Sequence, residues 1–354
     1  MKVVTVIGNR PQFVKAAAVS GPLRAEHEEL LVHTGQHYDD ELSTIFVQEL
    51  AVPAPEVQLA LGGGTNTEQT ARMLAALGEL LRERAPDAVL VYGDTNSTLA
   101  GALAAAQARI PVAHVEAGMR SFDRAMPEEL NRVLTDHLAD LLLVSSDVAA
   151  ANLAREGAAG DVEVVGDVMV DVARLLAPRA RADDGPLRDA GVTAGEYVLA
   201  TAHRAGTVDD PERLEQLVQL LLGVGLPVVL PLHPRTRARL LEAGLLERIA
   251  AGTIVRPPLG YLAFTALLTQ ARAVLTDSGG VQKEAYLAGV PCVTLRDSTE
   301  WVETVDSGWN VLVDLDAGAA RAALARAAPP ERPELYGDGR AGARVAAAMA
   351  RLLR

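Results

Sequence analysis

Cysteine and aromatic residues are scarce in this sequence of 354 residues. Cys292 is the single cysteine, so the chain can form no internal disulfide and has no cysteine cluster of the kind that binds zinc. Aromatic residues make up 3% of the chain, so its hydrophobic cores must consist mainly of leucine, valine and alanine. These absences exclude a disulfide scaffold and a cysteine-based metal site.

An excess of positive charge and long hydrophobic runs are also missing. The net charge of −13 argues against nucleic-acid binding, because no surplus of cations can displace counterions from phosphates. A few local cations could still hold a nucleotide. No apolar stretch approaches the roughly 20 residues that span a bilayer, and the short run at 3–7 predicts a first β-strand rather than a signal peptide. We therefore expect a soluble, cytoplasmic protein with no nucleic-acid or membrane partner.

Short apolar runs alternate with longer segments of helical period, which is typical of βα units and a parallel sheet. In the first half, strands are predicted at 3–7, 30–34, 88–92, 112–115, 141–145 and 162–165. The pattern restarts with strands predicted at 197–200, 228–231, 253–256, 273–276, 292–295 and 310–313. The polar, turn-rich segment 178–186 is the best linker candidate.

This pattern and the chain length predict two domains of the α/β class. We expect two Rossmann-like domains whose parallel sheets face each other across a cleft. The first would comprise residues 1–170, with a C-terminal helix at 341–354 crossing back onto it, and the second residues 171–340. Open α/β sheets bind ligands at the carboxyl ends of their strands, so the cleft is the expected site.

Charged or imidazole side chains follow many of the predicted strands. They are Arg10, His37, Asp94, Glu116, His203, His233 and Asp277. In this architecture the carboxyl ends of the strands converge on one crevice. One such residue is commonplace, but the whole set points to a polar site.

The first strand leads into a turn that is a candidate phosphate site. Pro11 occupies an expected first helical position, and Arg10 and Lys15 lie on either side of it. Helix N-termini attract anions, so both cations are interpreted as phosphate contacts, with solvated surface cations as the alternative. The G-x-G-x-x-G fingerprint of dinucleotide-binding turns is missing here.

A second helix-opening turn, at 276–284, also fits a phosphate. Ser278, Gly279 and Gly280 would let a diphosphate approach the backbone closely. Glu284, further along the helix, could accept both hydroxyls of a ribose. The alternative is an ordinary N-cap with glycine present for packing.

Three carboxylates are candidates for proton transfer. Asp94 and Glu116 end strands, and Glu128 starts a helix. Proton transfer at carbon needs a base, an acid and an orienting group. For Glu128 the alternative is a surface ion pair with Arg132, four residues on. His203 ends another strand and could hydrogen-bond or protonate a leaving phosphate.

Short segments in order over nearly the whole chain resemble the non-hydrolysing UDP-N-acetylglucosamine 2-epimerases. They are 8–15, 34–37, 92–98, 114–120, 127–132, 166–169, 203–204, 232–234 and 277–284. The resemblance implies a GT-B fold with the active site between two domains, a UDP-sugar substrate and usually a homodimer. It also implies no redox cofactor and no metal.

The resemblance further implies inversion of C2 by anti elimination of UDP to a 2-acetamidoglucal, followed by re-addition of UDP. Asp94, Glu116 and Glu128 match the acid–base carboxylates of the family, with Arg132 beside them and His203 near the leaving group. Which carboxylate is the base stays open. The implied substrate contacts are Arg10, Lys15, Asp94, Glu116, Arg132, His203, Phe264, Ser278, Gly279, Gly280 and Glu284.

Departures from the family pattern bear on the sugar and on regulation. A substrate-contacting arginine is replaced by Trp301, and Lys283 stands where a glutamate is usual. The sequence around Trp301 resembles that of a subgroup that includes epimerases of UDP-2,3-diacetamido-glucuronate. Residues of the family's regulatory region are retained as candidate allosteric contacts, namely Gln36, His37, Arg204 and His233.

Alternative functions share much of this pattern. A hydrolysing relative would release N-acetylmannosamine and UDP through the same intermediate. A GT-B glycosyltransferase would share the fold and the diphosphate site but would need an acceptor. A non-catalytic sensor of nucleotide sugars would bind without turnover.

Overall fold

The structure, a computed structural model, describes residues 1–36 and 52–352, with Arg10 described through its backbone only. The chain divides into two compact units. The first unit comprises Met1–Arg174 and Glu334–Arg354, and the second unit comprises Leu175–Pro333. Each unit contains one sheet in which the paired strands are parallel. Within the described ranges, no helix is long and apolar enough to cross a membrane.

The sheet of the first unit has the strand order β3-β2-β1-β4-β5-β6-β7. Its strands are β1 (Lys2–Ile7), β2 (Glu28–His33), β3 (Val57–Gln58), β4 (Ala88–Tyr92), β5 (Val112–Ala117), β6 (Leu141–Val144) and β7 (Asp161–Val164). The helices that begin in this unit are α1 (Arg10–Glu26), α2 (Asn66–Arg84), α3 (Asn96–Gln107), α4 (Pro127–Leu138), α5 (Asp147–Glu156) and α6 (Val168–Ala182).

The central strands of this sheet are apolar along their length because neighbouring elements cover both faces. All five residues of β4 are buried, as are five of the six residues of β1. Helices α2 and α3 begin with capping boxes in which Thr65 and Thr95 exchange hydrogen bonds with the third helical residue. These caps fix the residue at which each helix begins.

The sheet of the second unit has the strand order β10-β9-β8-β11-β12-β13. Its strands are β8 (Val198–Thr201), β9 (Val228–Pro231), β10 (Ile254–Arg256), β11 (Ala273–Thr276), β12 (Cys292–Thr294) and β13 (Asn310–Leu312). Its helices are α7 (Gly185–Ala190), α8 (Ala205–Val208), α9 (Pro211–Leu222), α10 (Pro234–Glu242), α11 (Leu246–Gly252), α12 (Tyr261–Gln270), α13 (Gly279–Ala288), α14 (Val302–Asp306) and α15 (Ala317–Ala325).

The last helix, α16 (Ala341–Met349), belongs to the first unit and packs against α1. A Cβ atom on Gly342 would lie 2.0 Å from the carbonyl oxygen of Ala18, so the two helices approach at a glycine. Asp171 accepts hydrogen bonds from the amides of Ala341 and Gly342, at 3.1 and 2.9 Å. This carboxylate caps the first turn of α16.

The predicted α/β fold class is confirmed, and a strand lies at each predicted position. The two-residue strand β3 was missed because it is too short to give a pattern. The predicted linker is wrong for residues 178–182, which continue α6 through Ala182, and for Gly185 and Pro186, which begin α7. Alanine and arginine favour helix strongly enough to carry it past Pro178.

Candidate active site

The predicted site residues cluster where the strand order of each sheet reverses. In the first unit the reversal lies between β1 and β4, and in the second unit between β8 and β11. Open α/β sheets form a crevice outside the carboxyl ends of the strands at such a point. Each unit therefore has a topological position suited to a ligand.

The turn between β1 and α1 is locked to the end of β4. The Gly8 amide donates to Gln12 Oε1 at 2.7 Å, and Gln12 Nε2 donates to the Tyr92 carbonyl at 2.7 Å. A Cβ atom on Gly8 would lie 1.9 Å from Ser97 Oγ, so a larger residue does not fit. Asn9 caps α1 by accepting from the Gln12 amide at 3.2 Å. The start of α1 is thereby fixed beside the loop that follows β4.

Lys15 and Glu116 form an ion pair at this crevice, and both side chains are largely buried. Glu116 adopts φ +70°, a left-handed conformation that costs a non-glycine residue about 1–3 kcal/mol. The register between β5 and β6 shifts between Val115 and Ala117, so Glu116 occupies an irregularity of β5. Such strain at a polar residue is typical of a functional position.

Arg132 holds two carboxylates in the same unit. It donates to Asp94 Oδ2 and, at 2.7 Å, to Glu129 Oε2. Burial alone would lower the pKa of Arg132, but the charges of Asp94 and Glu129 outweigh it and raise that pKa above its ordinary value. The Asp94 side chain is 33% exposed, whereas that of Glu129 is 2% exposed. Asp94 is therefore the carboxylate of this set that a ligand can reach.

Glu129 was not among the predicted site residues. Its carboxylate accepts hydrogen bonds from the amides of Ser121 and Phe122, at 2.9 and 3.0 Å. Burial would raise the pKa of Glu129, but the hydrogen bonds from Ser121 and the charge of Arg132 lower it. Glu129 therefore stays ionised and anchors Arg132.

The alternative in which Glu128 forms a surface ion pair with Arg132 is wrong. Arg132 is buried and turns toward Asp94 and Glu129, because residues three apart also share a helix face. Glu128 is exposed in the first turn of α4. Within residues 1–36 and 52–352, no hydrogen bond or ion pair joins the Glu128 side chain to Asp94, Glu129 or Arg132.

In the second unit, Asp277 organises the loop after β8. This fully buried carboxylate accepts from the amides of His203 and Arg204, both at 2.9 Å. The His203 side chain is 38% exposed, and its ring stacks on that of His233 with 5.2 Å between centroids. Asp277 thus connects the loops that follow β8 and β11.

His233 is a helix cap as well as a stacking partner. Its Nδ1 accepts from the Arg235 amide at 3.2 Å, at the start of α10. Burial lowers the pKa of His233, and the neighbouring His203 and Arg235 lower it further. Both effects favour the neutral ring that this cap requires.

The loop between β11 and α13 is packed against a buried carboxylate. Ser278 is the N-cap residue of α13, and Gly280 is exposed beside it. A Cβ atom on Gly279 would lie 1.9 Å from Oε1 of Glu300. Arg296 pairs with Glu300 at 2.9 Å. Burial would raise the pKa of Glu300, but the positive charge of Arg296 lowers it.

Lys283 and Trp301, which both depart from the family pattern, contact each other. The Lys283 ammonium lies 4.3 Å from the centroid of the Trp301 ring, and both residues are buried. Such a cation–π contact stabilises a buried ammonium group. Of the other predicted contacts in this unit, Glu284 is half-buried on α13 and Phe264 packs at the edge of the core.

Among the predicted regulatory residues, Gln36 has a structural contact. Its Oε1 accepts from the amide and hydroxyl of Ser97, at 3.0 and 2.7 Å, at the start of α3. The Arg204 guanidinium lies 3.6 Å from Glu300. His37 and the side chain of Arg10 lie outside the described residues. In the part of the chain that the structure describes, no group of three His, Cys, Asp or Glu side chains could hold a metal ion.

Known proteins with similar sequences include nucleotide-sugar 2-epimerases. A family model described as UDP-N-acetylglucosamine 2-epimerase matches residues 23–350. A Pseudomonas aeruginosa protein named UDP-2,3-diacetamido-2,3-dideoxy-D-glucuronate 2-epimerase is 46% identical, over 99% of this chain and 100% of its own. A UDP-N-acetylglucosamine 2-epimerase of Methanocaldococcus jannaschii is 41% identical over 88% of both chains.

A solved structure gives the same result for the fold. The crystal structure of Methanocaldococcus jannaschii UDP-GlcNAc 2-epimerase in complex with UDP-GlcNAc and UDP matches with a TM-score of 0.92. The two sequences are 38% identical, and the match covers 99% of each chain. With the two parallel sheets, this match confirms the predicted GT-B class of fold.

Proposed function

The chain belongs to the UDP-N-acetylglucosamine 2-epimerase family, and from this premise we propose that it inverts C2 of a UDP-linked 2-acetamido sugar. The observation that carries the proposal is the pairing of two carboxylates with two cations at the ends of neighbouring strands. Asp94 follows β4 and pairs with Arg132, while Glu116 lies near the end of β5 and pairs with Lys15. These pairs provide ionised groups that can take up and return a proton.

The chemistry explains why such groups are needed. The C2 hydrogen lies beside no carbonyl, so it becomes acidic only as the C1–O bond to UDP breaks and positive charge builds on the ring. A carboxylate takes the C2 proton, UDP leaves with the C1–O electron pair, and a C1=C2 double bond forms. The 2-acetamidoglucal is then protonated at C2 on its other face while a UDP oxygen bonds again to C1.

We assign the proton transfers to Asp94, Glu116 and Glu128 as a set. Arg132 forms an ion pair with Asp94, and Lys15 forms one with Glu116. Glu128 is exposed in the first turn of α4, one turn before Arg132, where solvent or a ligand can reach it. The elimination and re-addition balance without net gain or loss of electrons, so the proposal calls for no redox cofactor.

We assign the UDP group to the second unit. Free amides at the start of α13, next to Ser278, Gly279 and Gly280, suit a diphosphate. Glu284, on the same helix, is assigned to the ribose and Phe264 to the base. His203 is assigned to the leaving phosphate, since its half-exposed ring can donate a hydrogen bond. Arg10 and Lys15 are proposed as further substrate contacts.

Two sugars fit this proposal. One is UDP-N-acetylglucosamine, which would become UDP-N-acetylmannosamine, and the other is UDP-2,3-diacetamido-glucuronate. The second is favoured by the 46% identical relative, whose name carries that substrate, and by Trp301 in place of arginine. A cytoplasmic location and a homodimeric state also belong to the proposal.

Proton NMR of the products tests the proposed function. Each of the two UDP-sugars is incubated with the enzyme, and the anomeric and C2 protons are followed. We expect the C2 epimer still attached to UDP. Release of a free reducing sugar would instead indicate the hydrolysing reaction, and turnover only with an added acceptor would indicate a glycosyltransferase. Binding with no product from either sugar would indicate a sensor.

Gly279→Ala is expected to weaken UDP binding about tenfold or more, equivalent to about 1.4 kcal/mol. The new methyl group would lie 1.9 Å from Glu300 Oε1, and Arg296 holds that carboxylate in place. Titration calorimetry with UDP measures the effect. Gly21→Ala is the control, because its added Cβ meets no atom within 4 Å in α1. An unchanged Kd for Gly279→Ala would contradict the assignment of UDP to this turn.

A further inference from the structure

His114 lies on β5 in a fully buried position between two hydrogen-bond acceptors. Its Nε2 is 2.7 Å from the Gly93 carbonyl oxygen, and its Nδ1 is 2.7 Å from Asp136 Oδ1. A carbonyl and an ionised carboxylate can only accept hydrogen bonds. Both ring nitrogens must then carry protons, an assignment that follows from the partners.

The Asp136 carboxylate beside this ring is itself held by Arg120. Asp136 Oδ2 accepts from the Arg120 guanidinium at 2.7 Å, and Arg120 also donates to both oxygens of Glu156 at 2.8 and 2.6 Å. The Arg120 guanidinium thus bonds to two carboxylates. Burial would raise the pKa of Asp136, but His114 and Arg120 lower it below its usual range. Asp136 is therefore ionised and leaves the Nδ1 proton on the ring.

Asp136 holds β5 on both sides of Glu116. Its Oδ1 contacts His114, two residues before Glu116, and its Oδ2 accepts from the Gly118 amide at 3.1 Å, two residues after it. Glu116 lies between them in its left-handed conformation, where the register with β6 shifts. Such a conformation persists only where its surroundings fix it. The carboxylate on α4 provides that constraint.

The same ring also fixes the loop after β4. The Gly93 carbonyl accepts from His114, and Gly93 has φ +62°. A Cβ atom on Gly93 would lie 3.1 Å from Lys15 Nζ and 3.3 Å from Glu116 Oε2, so the ion pair lies close to this glycine. The next residue is Asp94. One buried ring therefore contacts the backbone that supports two of the three candidate carboxylates, Asp94 and Glu116.

We propose that His114 and Asp136 are positioning residues for the epimerase reaction. As a buried imidazolium–carboxylate pair, they hold the Gly93 turn and the irregularity at Glu116 in the arrangement that proton transfer requires. Neither side chain is exposed, so neither touches substrate. The proposal rests on the proposed function for its catalytic consequence. The charge state of the ring and the protection of the Gly118 amide do not depend on that function.

Asp136→Asn tests the proposal with little change of volume. We expect kcat to fall about 10- to 100-fold, since misplacement of a catalytic group by about 1 Å can cost that much. The Kd for UDP should stay within about twofold, because the proposed UDP turn belongs to the other unit. Asp136→Ala removes both hydrogen-bonding arms and should lower kcat further. If the alanine variant does not fold, the asparagine variant still tests whether Asp136 is a positioning residue.

Nitrogen-15 NMR of labelled histidine measures the charge state of the His114 ring directly. We expect a doubly protonated His114 ring in the wild type at neutral pH. In Asp136→Asn the amide can donate to Nδ1, so we expect a neutral ring there. Hydrogen exchange of the Gly118 amide should be slow in the wild type and faster in Asp136→Ala.

Asp140→Asn is the matched control. This carboxylate accepts from the Val112 amide at 2.8 Å, at the opposite end of the same strand, and its loss should leave kcat unchanged. The proposal is overturned by a neutral His114 ring in the wild type. It is also overturned if Asp136→Asn keeps full kcat, or if its UDP affinity falls as much as its kcat. A wild-type enzyme that turns over no UDP-sugar would refute the proposed function. The His114 ring and the Gly118 amide would still test whether Asp136 holds the backbone on both sides of Glu116.

Discussion

Asp94→Asn is expected to lower kcat at least about 100-fold while the Kd for UDP stays within about twofold. Asp94 is the carboxylate of the Arg132 group that remains accessible, at 33% exposure, whereas Glu129 is buried. An asparagine can keep a hydrogen bond to Arg132 through its amide oxygen. The variant therefore removes the charge and the capacity to hold a proton without displacing the arginine. Steady-state conversion of the UDP-sugar and calorimetry with UDP measure the two quantities.

Asp87→Asn is the control for this variant. Asp87 accepts from the Lys2 amide at 2.7 Å, just before β4 begins, so its loss affects the opposite end of the same strand. We expect its kcat to equal that of the wild type. A normal rate for Asp94→Asn would show that the proton transfers take place elsewhere. An equal loss of UDP affinity would show that Asp94 binds substrate in the ground state instead.

Glu116→Gln is expected to give a loss of similar size, at least about 100-fold in kcat. The substitution leaves the backbone cost at φ +70° unchanged, because glutamine has the same branching as glutamate. It removes the anion beside Lys15, whose side chain is largely buried. The catalytic carboxylate and the electrostatic balance of the crevice are lost together. Rate measurements at saturating substrate isolate kcat from any change in KM.

Glu29→Gln is the matched control, since it also breaks a buried carboxylate–cation pair in the first sheet. The Glu29 side chain is fully buried and bonds Arg24 at 2.8 Å near the start of β2. Its loss should lower the free energy of unfolding and leave kcat unchanged. If Glu116→Gln and Glu29→Gln slow the enzyme equally, general destabilisation would explain the effect. In that case Glu116 would have no catalytic role.

The two sheets could be predicted from the sequence because parallel strands buried on both faces give unbroken apolar runs. The same reasoning located the polar residues at the strand ends, and Asp94, Glu116 and His203 lie at such ends in the structure. The resemblance to a family was confirmed by the match over residues 23–350. Local pattern was therefore sufficient for the architecture and for the positions of the candidate residues.

The pairing of charges within the site could not be predicted in this way. Spacing on a helix allowed Arg132 to face Glu128, but the buried Arg132 side chain pairs with Glu129 and with Asp94, which follows β4. No local signal showed that Glu116 is left-handed, because that conformation depends on the register with β6. These features depend on contacts between elements that are distant in sequence.

Deuterium incorporation at C2 of the sugar, measured in D2O, tests the proposed reaction most directly. UDP-N-acetylglucosamine and UDP-2,3-diacetamido-glucuronate are each incubated with the enzyme, and the C2 proton signal is followed by NMR. We expect that signal to disappear from the true substrate and its epimer while both remain linked to UDP. Retention of the C2 hydrogen in every nucleotide sugar tried would contradict proton exchange at this carbon.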